Sequence, residues 1–291
     1  MEGKRKIKLV RDPRQAFVFK VIDVETGEEL SEAEVKALQP AEPADRAPAR
    51  AKTMGFAAQP LRVCGEGDSW ISFLQIGLVF PKTFFDVLGR TFATRNLGFP
   101  GHTFDEILAD NSYKQALDSG LYKVFVFSGG GNDFLGGGAL VNILKNKSEG
   151  GGSQNPADYV KLAALAGVLA KLKKGYRSVA KQAKASRPDI LMLTQGYDYA
   201  IPRKNGPWLG RPLKAAGFAH DDPLSLKIIE FLVDQFNGML GEIDAEFTHV
   251  RHVDVRKTIQ TLWHDELHPT TAGAKKVAKL FEKEISKLMV S

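Results

Sequence analysis

The 291-residue sequence contains a single cysteine, Cys64. That excludes an internal disulfide framework and any zinc site built from several thiolates, and a reducing, cytoplasmic compartment is the expectation. Long hydrophobic runs are missing too. The most apolar stretch, Trp70 to Phe80, is broken by Ser72, Gln75 and Gly77, short of the ~18–20 apolar residues that cross a bilayer. After the basic start, Met1 to Lys8, the chain runs through Leu9-Val10 into Arg11-Asp12-Pro13. A signal peptide needs ~7–15 apolar residues there, so no secretion signal is read. No Gly-x-Gly-x-x-Gly precedes a helix and no glycine-rich loop ends in Lys-Ser/Thr, which argues against a nucleotide site. No Gly-x-Ser-x-Gly elbow occurs either, which argues against an ordinary α/β-hydrolase. What remains is 43% hydrophobic and 25% charged residues, the balance of a packed globular protein.

The net charge of +6 is local. Residues 1–14 carry +4, residues 171–187 carry +7 with no acid, and the rest is mildly acidic at −5. A non-catalytic polyanion-binding protein using these two segments is one reading. The blander one is a solvated helix face, because no aromatic side chains are interleaved with the charges. Asn155 with Pro156 is a helix start, after which Leu162, Leu165, Leu169, Leu172, Tyr176 and Val179 share an inward face, with Lys173, Arg177, Lys181 and Lys184 on another. The C-terminal segment repeats the pattern, with Val277, Phe281, Ile285 and Leu288 inward.

Residues 1–38 read as a small N-terminal β/α unit: a strand over 16–23, a Thr26-Gly27 turn and a Ser31-x-x-Glu34 capping box. Residues 39–60, rich in Ala and Pro, read as a linker. Such a small unit is expected to pack on the main domain, on a protein partner, or on a second copy. From 61 to 291, strand-like runs at 61–64, 91–95, 122–128, 189–194 and 250–255 alternate with helical patterns over 70–79, 103–118, 156–186, 224–243 and 271–289. The alternation predicts an α/β sandwich with a parallel sheet covered on both faces. Ligands in such folds bind beyond the carboxyl ends of the strands.

Four groups of residues sit at such ends or in the last loop. Gly65-Glu-Gly67-Asp68-Ser69-Trp70 leaves the first strand of the main domain and puts Ser69 at the start of the 70–79 pattern. Ser69 is there either an ordinary N-cap or a nucleophile whose own N–H faces a developing oxyanion. Asn96-Leu-Gly98-Phe-Pro-Gly101-His102 is a turn in which Gly101 can present an N–H to a ligand. Ser128-Gly129-Gly130-Gly131-Asn132-Asp133 supplies a neutral amide, Asn132. In His264-Asp265-Glu-Leu-His268-Pro269 the zincin reading fails, because Asp265 stands where Glu is needed and Pro269 disfavours a helix at His268. The alternative is Asp265 orienting His268 as a base.

Taken in order, Gly67-Asp68-Ser69, a loop glycine, Gly130-x-Asn132-Asp133 and Asp265-x-x-His268 resemble the SGNH hydrolases, the GDSL esterases and lipases, over Leu61 to the C-terminus. The resemblance implies a flavodoxin-like three-layer α/β/α sandwich with a small N-terminal extension. It also implies a carboxylic ester hydrolase acting through an acyl-enzyme without metal or organic cofactor, short acyl or acetyl esters being favoured. An acyltransferase, thioesterase or lysophospholipase on the same site is the alternative, and the expected partner is a small-molecule, glycan or lipid ester. Ser69 is implied as nucleophile, His268 as base and Asp265 as its orienting group, with Ser69, Asn132 and a loop glycine, Gly101 in preference to Gly98, forming the oxyanion hole. Trp70 departs from the family's aliphatic residue. With Phe99 and Phe134 it is a candidate for the acyl pocket or for the core, and the long 196–222 segment is a candidate lid.

Overall fold

A computed structural model of the chain describes residues 7–11, 19–38, 61–73, 81–136 and 138–288. The linker expected over 39–60 lies outside them. At the N-terminus β1 (Ile7–Arg11), which the sequence pattern did not suggest, pairs antiparallel with β2 (Phe19–Asp23). Residues 16–18 of the expected first strand are outside the described residues. The capping box forms as expected and opens α1 (Glu32–Leu38): the Ser31 N–H donates to Glu34 at 2.8 Å, and the Glu34 N–H to the Ser31 hydroxyl at 3.3 Å.

The main sheet holds β3 (Arg62–Gly67), β4 (Ala93–Asn96), β5 (Val124–Ser128), β6 (Leu191–Gln195) and β7 (Val250–Val253). Its spatial order is β4-β3-β5-β6-β7 and every pairing is parallel. That is the flavodoxin-like order, whose chain direction switches between β3 and β5. β5 reads Val-Phe-Val-Phe-Ser and is buried throughout, as a central parallel strand covered on both faces must be. Helices form the two outer layers. α2 (Phe84–Leu88) and α10 (Thr271–Lys287) meet through stacked rings of Phe84 and Phe281, 4.6 Å apart. α3 (Phe104–Asp110), α4 (Ser112–Asp118) and α9 (Pro223–Glu246) pack around α7 (Leu162–Ser186). Short helices α5 (Gly131–Phe134), α6 (Leu140–Ile143) and α8 (Gly210–Ala215) lie in the loops. Phe127 of β5 meets Tyr176 of α7 edge-on at 5.2 Å and Phe104 of α3 at 5.5 Å, which keys these helices to the sheet.

Several expectations change. The 103–118 pattern is two helices, because Asn111 turns left-handed at φ 54°. Asn155 and Pro156 open only a 3-10 turn, Pro156–Tyr159, and α7 begins afresh at Leu162. Leu162 is consequently 53% exposed rather than inward, and Leu288 at the end of α10 is 38% exposed. In the 70–79 pattern, residues 69–71 form a turn and not a helix, while 74–79 are outside the described residues. The positive end of a helix dipole beneath Ser69 is therefore not part of the described site. The basic segment of α7 faces acids of neighbouring helices: Lys171 pairs with Asp105 at 2.5 Å, Arg177 with Glu246 at 2.7 Å, and Lys173 with Glu242. With Arg187 on Asp189, four of the seven cations of 171–187 have an acidic partner, which weakens the field a polyanion would meet.

Phe281 is fully buried. Phe281→Ala is expected to cost about 3–5 kcal/mol, read in urea unfolding as a lower midpoint at unchanged slope.

Candidate active site

The site gathers at the carboxyl ends of β3 and β5. β3 ends in Gly67, whose φ of +153° is outside the range side chains favour, and a Cβ there would lie 1.8 Å from the Ser128 carbonyl oxygen. Only glycine permits this approach. It lets the Ser128 carbonyl, at the end of β5, accept the Asp68 N–H at 2.9 Å. The Asp68 carbonyl then closes the turn by accepting the N–H groups of Ile71 (3.0 Å) and Ser72 (3.1 Å), which presents Ser69 at the sheet's edge.

Ser69 Oγ lies 2.8 Å from Nε2 of His268, although the two residues are 199 apart in sequence. Asp265 accepts from Nδ1 of the same ring at 2.9 and 3.0 Å, and from the His268 and Leu267 N–H groups at 2.9 Å each. A carboxylate only accepts, so the proton is held on Nδ1 and Nε2 is left to accept the serine O–H. Burial pushes the Asp265 carboxyl up, but the attraction of the His268 ring in its protonated form and these hydrogen bonds outweigh it and hold it below its ordinary value. The turn places the His264 N–H on the His268 carbonyl at 2.8 Å, the reverse of a helical bond, so the two histidines do not share a helix face.

The Asn132 amide donates to the His102 carbonyl at 2.9 Å, which leaves its second N–H for another acceptor. Among the described residues no acceptor takes the N–H of Ser69 or of Gly101. Gly101, at φ 89°, belongs to a loop tied to β3 by Leu97 N–H to Gly65 carbonyl (2.8 Å) and Phe99 N–H to Gly67 carbonyl (2.9 Å). A cavity of about 20 Å3 is lined by Ser69, Asn132 and His268 together with Trp70, Leu135, Tyr197 and Ala200 among others, and Gly101 is not on its wall. Trp70 is buried, and its indole N–H donates to the Leu267 carbonyl at 3.1 Å, which joins the serine turn to the histidine loop. Phe134 stacks on Phe236 in the core (5.1 Å) and Phe99 packs on the N-terminal unit, so neither lines the cavity.

Searches of solved structures return matches at probability 1.00. The lipase Lip_vut3 from a goat rumen metagenome superposes with TM-score 0.52 at 14% identity, over 77% of this chain and 96% of its own. Phospholipase A1 from Streptomyces albidoflavus NA297 gives 0.51 at 17% identity, over 77% and 99%. The extracellular lipase of Streptomyces rimosus gives 0.50 at 16%, over the same shares. The chain shares the fold of these lipolytic enzymes, a flavodoxin-like three-layer α/β/α sandwich. No family model and no curated protein matches the sequence.

Three residues that hold the site together were not singled out as site residues by motif. Tyr197, directly after β6, donates its hydroxyl to Asp68 at 2.6 Å and accepts the Gly131 N–H at 2.8 Å. It bridges the serine turn to the Asn132 turn. Burial and the Asp68 charge push its phenol well above its ordinary range, so it stays a donor. Its ring also explains the third glycine of 129–131, since a Cβ at Gly131 would lie 2.7 Å from it. Attention to strand ends alone could have found Tyr197. Glu266 could not have been found so: its buried carboxylate accepts backbone N–H groups of Arg203 (2.9 Å), Trp208 (3.0 Å), Leu209 (3.2 Å) and Gly210 (2.8 Å). The candidate lid is thereby fastened to the histidine loop. Asp198 does the same for the 257–259 turn, accepting from Lys257 at 2.6 Å and Ile259 at 2.7 Å.

Glu66, one residue before Gly67, is buried, and burial pushes its carboxyl up to about 8 despite hydrogen bonds from Ser112 and the Gly67 N–H. Asp133 is raised to about 6, also by burial. The folded chain holds a proton on Glu66 that the unfolded chain releases near 4.5. Stability should therefore fall as pH rises from about 4.5 to about 8. Urea midpoints at about pH 5 and pH 8.5 should differ less in Glu66→Gln than in the native chain, and equal slopes in both would remove Glu66 as the cause. Tyr197→Phe leaves Asp68 and the Gly131 N–H short of a partner and should cost about 1–3 kcal/mol, measured by the same unfolding.

Proposed function

We propose that this chain is a serine ester hydrolase that cleaves short acyl esters, acetyl esters among them, through an acyl-enzyme. The observation that carries the reading is the continuous hydrogen-bonded line from Ser69 through His268 to Asp265, the arrangement that activates a serine hydroxyl. Ser69 Oγ attacks the ester carbonyl carbon while Nε2 of His268 takes the hydroxyl proton, and the carbonyl π pair moves to oxygen. The oxyanion is received by the second Asn132 N–H and the N–H groups of Ser69 and Gly101. Collapse breaks the carbon–oxygen bond to the alcohol, which leaves with the proton from His268. A water then repeats the sequence on the acyl-serine: His268 takes its proton, the acid departs, and Ser69 regains its hydrogen.

The cavity beside Ser69 supports the preference for short chains. It has room for about one water-sized group, about 20 Å3, and Trp70, Leu135 and Ala200 on its wall offer an acetyl methyl an apolar contact. The fold's neighbours, two lipases and a phospholipase, support ester chemistry in general.

Initial rates on nitrophenyl esters from acetyl to dodecanoyl test the proposal. The expected pattern is fastest turnover with acetyl, insensitivity to chelator, a loss on the order of 10⁴-fold or more in Ser69→Ala, and about 10²–10³-fold in Asn132→Ala. Turnover that survives in Ser69→Ala overturns the reading.

A further inference from the structure

Residues before 39 have no counterpart in the motifs that point to ester hydrolysis, yet they touch the oxyanion loop. Val21 of β2, Leu30 and Val35 of α1 form a second small core, and the side chain from the main domain that completes it, beside Ile7 and Leu38, is Phe99. Two positions later on that loop lies Gly101. His102 follows, and its Nε2 is 3.2 Å from the Glu32 carboxylate of α1. Lys36, one helical turn on, pairs with Glu32 at 2.7 Å and with Asp110 of α3 at 3.5 Å, and its ammonium sits 5.5 Å from the centre of the Phe99 ring. Phe99 and His102 lie ring to ring at 4.8 Å. The carbonyl of this same His102 accepts the Asn132 amide.

We infer that the N-terminal unit is a clamp on the oxyanion loop, with Val35, Glu32 and Lys36 acting as positioning residues for the hydrolysis proposed above, on which this inference rests. The physical argument concerns what holds residues 97–102. On the β3 side the ties are backbone hydrogen bonds from Leu97 and Phe99 to Gly65 and Gly67, and these end before Pro100. Beyond them, Phe99 and His102 are the loop's side-chain anchors, and their burial is supplied by α1 and the β1–β2 hairpin. The unit itself is too small to hold a core alone, so Phe99 completes it as much as it fixes Phe99. Gly101 lies between these anchors and the His102 carbonyl, at the second of them, accepts from the Asn132 amide; a misplacement of about 1 Å in the Gly101 or Asn132 donor costs about 10²-fold in rate. Loosening the clamp should thus act on the step in which charge develops on the carbonyl oxygen, and little on ground-state binding.

The full-length chain and its variants Val35→Ala, Glu32→Gln and Val24→Ser are compared on nitrophenyl acetate, alongside amide hydrogen exchange of peptides covering 97–103 and β5. Val24 is exposed on the same unit and is not among the side chains of its small core, so it serves as the control. The clamp predicts that Val35→Ala and Glu32→Gln lower kcat by roughly 10-fold with KM within about twofold. It also predicts faster exchange at 97–103, with β5 protection and the Val24→Ser enzyme unchanged. A double variant Val35→Ala/Asn132→Ala should lose less than the product of the single losses, because both act on one oxyanion. Native loop exchange and native kcat in both clamp variants overturn the inference while leaving the esterase intact, as does a fully multiplicative double variant. Absence of Ser69-dependent turnover in the native chain overturns the esterase reading and this inference with it.

Discussion

The carbonyl of Ser128 occupies the space that any side chain at residue 67 would need. From that single contact the site is built outward. It brings the carboxyl ends of β3 and β5 together at the point where the sheet's strand order changes direction, and accepts the Asp68 N–H that starts the serine turn. Ser69 projects from one strand end and Asn132 from the next. A bulkier residue at 67 would separate the two strand ends and, with them, the nucleophile and the amide donor.

Around this contact the chain uses buried polar groups as rigid ties. Tyr197 holds Asp68 against Gly131, Glu266 collects four backbone N–H groups, and Asp198 gathers the 257–259 turn. Each tie joins segments far apart in sequence. Burying a carboxylate is costly unless its oxygens are satisfied, so loops that supply several N–H groups to one carboxylate are held in one arrangement. The 196–222 segment illustrates the result: its length suggested a lid, and its fastening to Glu266 makes it a wall of the cavity. The serine and histidine loops are joined in the same manner by the Trp70 indole on the Leu267 carbonyl.

Burial of acid around the serine turn has an electrostatic side. Glu66, Asp68 and Asp133 all have their carboxyls raised by desolvation, whereas Asp265, beside His268, is held low. The environments thus separate one carboxylate that stays charged next to the imidazole from a group of others that resist ionisation. A site so arranged concentrates its negative charge where a developing imidazolium needs it.

The strands of the main sheet and the chain order of the catalytic blocks are legible in the sequence. Apolar runs such as Val124 to Phe127 mark strands covered on both faces, and the four motif blocks fall after strands or in the last loop because local turn chemistry dictates it. Phe281 and Tyr176 were legible as core from helical spacing, while Leu162 and Leu288 misled, since spacing says nothing about where a helix begins or runs past its neighbours. The rest comes from packing across the fold: Ser69 and His268, 199 residues apart, meet at 2.8 Å, Tyr197 and Glu266 bind the site together, and Phe99 packs on the N-terminal unit and not in the cavity. The reason is physical. Periodicity and turn signals are properties of neighbouring residues, whereas a buried carboxylate's partners are backbone amides of distant loops, which every sequence supplies and no pattern marks.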